Sequence, residues 1–308
     1  MTPFQIFSNQ TCQVGESPIW DAVGECLWWV DIESKIICRK SFKDEQATVW
    51  TLPERVGCIA LATQQRVLAA LETCVVLLTL KENGQYDLER LADIQHPISG
   101  MRFNDGRCDP SGRMWIGTMV MDSARGQAHG GIYCLDERGL TGPHINGLYT
   151  ANGLAFSPDG HTMYFSDSHV LSQKIWHCKI DLDTGDLSER ELFVDMTLMP
   201  GRPDGAAIDV EGHYWICGND AGMVHCFHPS GRLLSSLAVP FPKPAMCAFG
   251  GADLQTLFVT SIVPSHLTFD AMGHSGKVVC IELKSRGLPE PIFSRFPDSL
   301  RFLQSYVL

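Results

Sequence analysis

Asn152-Gly-Leu-Ala-Phe-Ser-Pro-Asp-Gly160 leads, after two residues, into Met163-Tyr-Phe-Ser166. Ser157-Pro-Asp-Gly160 carries proline at the second and glycine at the fourth position of a type I turn, and the aromatic run after it suits the core of a β-strand. Other stretches repeat the plan. Asp21-Ala-Val-Gly24, Asp109-Pro-Ser-Gly112 and Asp209-Val-Glu-Gly212 read as turns of the same kind, with Asp at the first and Gly at the fourth position. The strand cores are Leu27-Trp-Trp-Val30, Val67-Leu-Ala-Ala70, Met114-Trp-Ile-Gly117, Met163-Tyr-Phe-Ser166, Tyr214-Trp-Ile-Cys217 and Leu257-Phe-Val-Thr260. They recur every ~40–50 residues, the blade length of a β-propeller.

Each core is followed by a short apolar run that contains a cysteine: Cys38, Cys74, Cys134, Cys178, Cys226 and Cys280 in turn. A fourth strand candidate follows, as in Ala47-Thr-Val-Trp-Thr-Leu52, Arg190-Glu-Leu-Phe-Val-Asp195 and Leu234-Ser-Ser-Leu-Ala-Val239. No stretch sustains a helical period with caps. The expected fold is therefore all-β: a six-bladed β-propeller of four antiparallel strands per blade, formed by residues 1–308 as one domain. Phe4-Gln-Ile-Phe7 is expected to close the ring by completing the last blade.

Composition narrows the partners. Of the 308 residues 44% are hydrophobic and 19% charged, the balance of a globular chain with ample apolar surface to bury. The formal net charge is −11, and no basic stripe offsets it, which disfavours a nucleic-acid backbone as ligand. The first residues lack a basic segment followed by an apolar one, and no run approaches the ~18 apolar residues of a membrane span. The expectation is a cytoplasmic protein, a monomer by default, with reduced thiols: its 12 cysteines form no CxxC pair and read as small apolar packing residues.

Glu16, Asn104, Asn152 and Asp204 each stand eight positions before a turn glycine, namely Gly24, Gly112, Gly160 and Gly212. In a propeller the first strand of each blade lines the central channel, so a shared offset places these four side chains near one mouth of it. Asn and Asp beside glycine are common turn formers, and each taken singly has that simpler reading. Glu16 does not, because a carboxylate heading a buried strand needs a partner. The second and sixth repeats carry no acid or amide at this offset. Two carboxylates and two amides offer oxygen ligands only, a set suited to Ca²⁺, Mg²⁺ or Mn²⁺, with Zn²⁺ also able to accept carboxylates. Arg102, two residues before Asn104, shares its strand face and would bind hydroxyls or a developing oxyanion, unless it pairs with Asp105. Asp122 falls in the loop after the third core, and Asp167 reads as a structural acid at a strand end. The histidines form no HxxxH or HxH pair, and GxSxG, P-loop and GxGxxG motifs are absent, which counts against serine hydrolase, NTPase and Rossmann dehydrogenase readings.

Gly15-Glu-Ser-Pro-Ile-Trp20, Arg102-Phe-Asn-Asp-Gly106, Asp109-Pro-Ser-Gly-Arg113, Gly117-Thr-Met119, Asn152-Gly-Leu154, Pro203-Asp-Gly205 and Cys247-Ala-Phe-Gly-Gly251 follow one another in order. Through them nearly the whole chain resembles the senescence marker protein, regucalcin and gluconolactonase family of six-bladed propeller lactonases. The resemblance implies that Glu16, Asn152 and Asp204 hold one divalent cation in the channel, Ca²⁺ ahead of Zn²⁺, Mg²⁺ or Mn²⁺. It implies that Arg102 and Asn104 contact substrate, with Asp122 at the position of a glutamate that touches substrate hydroxyls. The expected activity is that of a metal-dependent carboxylic-ester hydrolase opening a sugar (aldono-) lactone, with Asp204 as general base as well as metal ligand. Two rivals remain at this stage: a non-catalytic calcium-binding or interaction propeller, and a propeller phosphotriesterase or aryl-lactonase, which would need an apolar mouth and often a histidine base.

Overall fold

The computed structural model describes residues 3–63, 66–265 and 273–297. A short strand, β1 (Gln5–Ser8), precedes blade 1, which holds β2 (Gly15–Asp21), β3 (Cys26–Asp31), β4 (Ile36–Ser41) and β5 (Thr48–Thr51). Blade 2 holds β6 (Cys58–Ala62), β7 (Arg66–Ala70), β8 (Cys74–Leu80) and β9 (Tyr86–Asp93). Blade 3 holds β10 (Met101–Cys108), β11 (Met114–Val120), β12 (Gly130–Asp136) and β13 (Gly139–Leu148). Blade 4 is β14 (Ala151–Phe156), β15 (Thr162–Asp167), β16 (Lys174–Lys179) and β17 (Glu191–Asp195). Blade 5 is β18 (Arg202–Ile208), β19 (Tyr214–Asn219), β20 (Met223–Phe227) and β21 (Leu233–Ala238). Blade 6 runs from β22 (Pro244–Gly250) through β23 (Thr256–Ser261) to β24 (Val278–Glu282), and β1 pairs antiparallel with β24 as its fourth strand. The chain start thus closes the ring by hydrogen bonds to the end of the repeat array. Ser123–Arg125 and Met196–Leu198 are single-turn 3-10 segments. No helix among the described residues is long and apolar enough to cross a membrane.

The first strands form the inner wall. β2 packs on β6, β6 on β10, β10 on β14, β14 on β18, β18 on β22, and β22 back on β2. Apolar side chains fill the wedges between adjacent blades rather than one central core. One cluster joins blades 1 and 2 through Trp28, Trp50, Ile59 and Val76, and another joins blades 6 and 1 through Trp20, Trp29 and Phe258. Each blade is a sheet with two faces to cover, and its neighbours supply the cover. The six cysteines of the third strands lie buried there as free thiols, as do the other six.

The turns joining first and second strands hold this stacking in register. Asp109 accepts a hydrogen bond from Trp115 Nε1 at 3.0 Å and Asp209 one from Trp215 Nε1 at 3.0 Å, so each turn acid pins the indole of the strand that follows. Gly112, Gly160 and Gly212 take φ of 81°, 76° and 82°, the left-handed backbone a glycine reaches without penalty. Blade 1 departs from the expected turn: Gly24 N–H bonds the Asp21 side chain, and the left-handed residue is Glu25, at φ 49°.

Candidate active site in the channel

Five of the six inner strands break register with their partners at the same place: between Glu16 and Ile19, Phe103 and Gly106, Asn152 and Ala155, Pro203 and Ala206, and Pro244 and Cys247. Blade 2, which has no polar residue there, pairs regularly through β6 and β7. A bulge inserts a residue and turns a side chain out of the alternating pattern. The bulges therefore coincide with the four polar residues of the shared offset, and Glu16, Asn104, Asn152 and Asp204 are all buried.

Three of the four are joined in one hydrogen-bonded row. Arg102 Nη1 donates to Asn104 Oδ1 at 2.6 Å and to Phe103 O at 2.8 Å. Asn104 Nδ2 donates to Asn152 Oδ1 at 2.8 Å and to Ala151 O at 3.0 Å. Asn152 Nδ2 then donates to Asp204 Oδ1 at 2.7 Å and to Ser168 Oγ at 2.7 Å. The row crosses blades 3, 4 and 5, so residues 102 positions apart in the chain become neighbours at second hand.

Arg102 does not pair with Asp105. That carboxylate instead accepts the backbone N–H groups of Gly106 at 2.8 Å and Leu154 at 2.9 Å, tying β10 to β14. Asp167 is structural too: it accepts the N–H groups of Tyr149 and Thr150 at 3.1 and 2.9 Å. Asp31 does the same in blade 1 for Gln13 and Val14, at 2.8 and 3.0 Å.

Asn219, unnoticed in the sequence, is the second support of Asp204: its Nδ2 donates to Asp204 Oδ2 at 2.6 Å. The signal was available, since Asn219 stands fifteen residues after Asp204, just as Asp31 does after Glu16 and Asp167 after Asn152. At that strand-end position an amide replaces an acid, and a donor replaces an acceptor. Behind Asn219, Asp220 pairs with Lys243 and takes Arg202 Nε at 2.7 Å, while Arg202 Nη1 reaches Ser168 O at 3.1 Å. Asp122 stands apart: it is exposed and precedes the 3-10 turn Ser123–Arg125 without capping it through its side chain.

Burial governs the charges. It pushes the Asp204 carboxyl from the ordinary 3.8 up to about 7, with the Arg202 charge and the Asn219 hydrogen bond opposing. Burial also raises Glu16 well above the carboxylate range, and the nearby charges of Asp204 and Asp105 push the same way, against Arg102. No side-chain hydrogen bond counts among the influences on Glu16. Two buried acids of raised proton affinity, one of them without a side-chain donor, make a site whose ionised form a cation would stabilise. The oxygens of Glu16, Asn152 and Asp204 fit a hard divalent ion on this ground. The cluster Asp209, Glu211 and His213, at the opposite strand ends, is of another kind. Asp209 there accepts the N–H groups of Glu211 and His213 and the indole of Trp215, which uses its oxygens to shape the turn.

A six-bladed ring whose inner strands bulge to present buried oxygen donors beside a buried arginine defines a propeller with a polar channel site. Residues 14–263 match the SMP-30/gluconolactonase/LRE-like region, and the chain belongs to that family. It is 34% identical over 291 residues to 6-deoxy-6-sulfogluconolactonase of Pseudomonas putida, spanning 93% of this chain and 97% of that one. It is 32% identical over 257 residues to pentonolactonase XacC of Haloferax volcanii, covering 82% and 83% of the two chains. The crystal structure of the calcium-binding protein regucalcin from Agrobacterium tumefaciens superposes with a TM-score of 0.87 at 27% identity, over 95% of this chain and 98% of that one.

Proposed function

We propose that this protein hydrolyses a sugar lactone of the aldonolactone class, with Asp204 as general base and Arg102, Asn104 and Asp122 on the substrate. One observation carries the reading: Asp204 is held through both oxygens, by Asn152 and Asn219, and its proton affinity lies near neutrality. A base poised near the working pH can take a proton and return it. The family and the lactonase names of two relatives support the reaction class.

A divalent cation held by Glu16, Asn152 and Asp204, with Ca²⁺ the first choice, would polarise the lactone carbonyl. The chain's own groups do the rest. Asp204 accepts a proton from water as the water oxygen bonds to the carbonyl carbon. The ring C–O bond then breaks, and the proton passes to the leaving ring oxygen, giving the open hydroxy acid. Arg102 is fixed through Nη1 alone, which leaves its other N–H groups to hold substrate oxygen. Asn104 locks that arginine to the row, so substrate binding and the base are positioned by one network. Asp122, from the loop after β11, would reach a substrate hydroxyl.

A second reading, metal binding without turnover, is favoured by the likeness to a calcium-binding regucalcin. A pH-indicator assay over a panel of aldonolactones, run with chelator and with Ca²⁺, Zn²⁺, Mg²⁺ or Mn²⁺ added, separates the two. Acid release that chelator abolishes and metal restores is expected. Metal binding in calorimetry with no acid release from any lactone would leave the second reading standing.

A further inference from the structure

In blade 3 Arg102 pairs with Met119 and Met101 with Val120, so the loop after β11, residues 121–129, leaves the sheet at the mouth where Arg102 and Asn104 stand. In blade 4 Asn152 pairs with Ser166 and Ala151 with Asp167, which brings residues 168–173 out at the same mouth. Three consecutive residues there have different duties. Asp167 accepts the N–H groups of Tyr149 and Thr150, and Ser168 Oγ accepts from Asn152 Nδ2 at 2.7 Å. His169 reaches across to the other loop, where its Nε2 stands 2.9 Å from Ser123 O.

Both ring nitrogens of His169 are engaged. Nδ1 accepts the N–H of Leu171 at 3.2 Å, so Nε2 is the nitrogen that carries the proton and donates to Ser123 O. The ring stacks on Tyr149, with centroids 4.7 Å apart and planes at 17°, and the residue is buried. On the receiving side, Ser123 O also accepts Gly126 N–H at 3.1 Å, and Arg125 N–H bonds Asp122 O at 3.1 Å. Asp122 itself is exposed, and its side chain makes no capping bond to this turn. The backbone that carries Asp122 is thus held from blade 4 through an imidazole. We propose that His169 is a positioning residue for substrate: by holding Ser123 O it fixes the direction of Asp122 at the channel mouth and so sets the affinity for lactone hydroxyls. The inference rests on the lactonase reading with Asp122 on the substrate. A loop fixed in advance has less freedom to lose on binding. Because Ser168 supports Asn152 from the same strand end, that end also aligns the substrate loop with the hydrogen-bonded row.

Two substitutions in the full-length protein separate the contacts. His169→Asn keeps an acceptor near the Nδ1 position for Leu171 but withdraws the donor from Ser123, whereas His169→Gln can place an amide N–H near the Nε2 position. With an aldonolactone that the native chain opens, His169→Asn should raise KM about tenfold, as for one lost hydrogen bond to a charged group, with kcat changed less than about twofold. His169→Gln should restore most of the difference. In an Asp122→Ala background, His169→Asn should add less than about twofold, because the two act on one contact. Hydrogen-exchange mass spectrometry without substrate gives a readout apart from turnover: amides of residues 121–129 should exchange faster in His169→Asn than in the native chain or His169→Gln. Tyr149→Ala, which removes the stacking face, should act in the same direction and decides the matter if His169→Asn does not fold. Failure of the native chain to open any lactone would sink the lactonase reading and the substrate role with it, whereas unchanged exchange in His169→Asn would overturn the anchor itself. A loosened loop with KM unchanged, or a His169→Asn effect undiminished without Asp122, would overturn the link to substrate.

Discussion

Asp204 joins two roles in the proposed mechanism, and its surroundings separate them. Asn152 and Asn219 fix its position, while burial sets its proton affinity. Asp204→Asn keeps the volume and removes the base, so kcat should fall by about 10²–10⁴-fold, the usual worth of general base catalysis, with the fold retained by circular dichroism. The same carboxyl predicts a pH effect on the metal-free protein. Its folded pKa is raised from 3.8 to about 7, so in that window the folded state binds more protons than the unfolded one. Stability from this group is then complete below the window and is lost as pH rises through it. Glu16, raised by burial, acts in the same direction. In the presence of chelator, the thermal midpoint of Asp204→Asn relative to the native chain should therefore increase as pH rises from acid to neutral. A constant difference across that range would show that Asp204 titrates normally.

At the scale of the strand, the site depends on bulges rather than on regular pairing. Gly153, beside Asn152, has φ 64°, and a Cβ there would lie 2.5 Å from Tyr214 Oη and 2.8 Å from Ser166 Oγ. Tyr214 Oη donates to Gly153 O at 2.7 Å, so blade 5 grips the bulge of blade 4 directly. Gly153→Ala should cost roughly 1–3 kcal/mol in urea denaturation, through backbone strain and the displaced tyrosine, and should lower kcat because Asn152 shifts with it. Denaturation and turnover both at native levels would show the bulge to be incidental. The offset of Glu16, Asn104, Asn152 and Asp204 before their glycines was legible because it is a spacing, and the six cores and six cysteine strands were legible for the same reason. Asn219 shares the fifteen-residue spacing of Asp31 and Asp167, but an Asn at a strand end has many uses, and only the side chain opposite shows which one applies. Asp122 illustrates the converse: its position in the chain matched a motif, yet it lies exposed and uncommitted.

For the whole molecule, ring closure and the two mouths follow from strand direction. β1 is held to β24 by the pairs Gln5 with Cys280 and Ile6 with Val279. Removing residues 1–8 would leave β24 as an unpaired edge in place of a finished blade. The truncated protein should unfold several degrees lower and aggregate on heating, as measured by scanning calorimetry with light scattering. An unchanged midpoint would mean that the closing strand contributes little. The far mouth is bridged by residues 287–293, which link the loops of blades 5 and 6 to blade 2. That crossing segment covers this mouth and forms one wall of a cavity there.

What the chain alone determined is whatever repeats. Turn, core, cysteine strand and outer strand recur at a blade's length, and side-chain alternation along each strand leaves few other ways to bury so many apolar residues. The common offset of four polar residues belongs to the same regularity. What only the tertiary structure decided is which polar groups meet: Asn219 beneath Asp204 within blade 5, Asp105 holding Leu154 across blades 3 and 4 rather than Arg102, and Arg107 meeting Glu290 below the ring. The last two link residues 49 and 183 positions apart, and no local pattern encodes them. They exist because closing the ring brings strand ends together at the axis, where burial forces each polar group to find whichever partner the neighbouring blade presents.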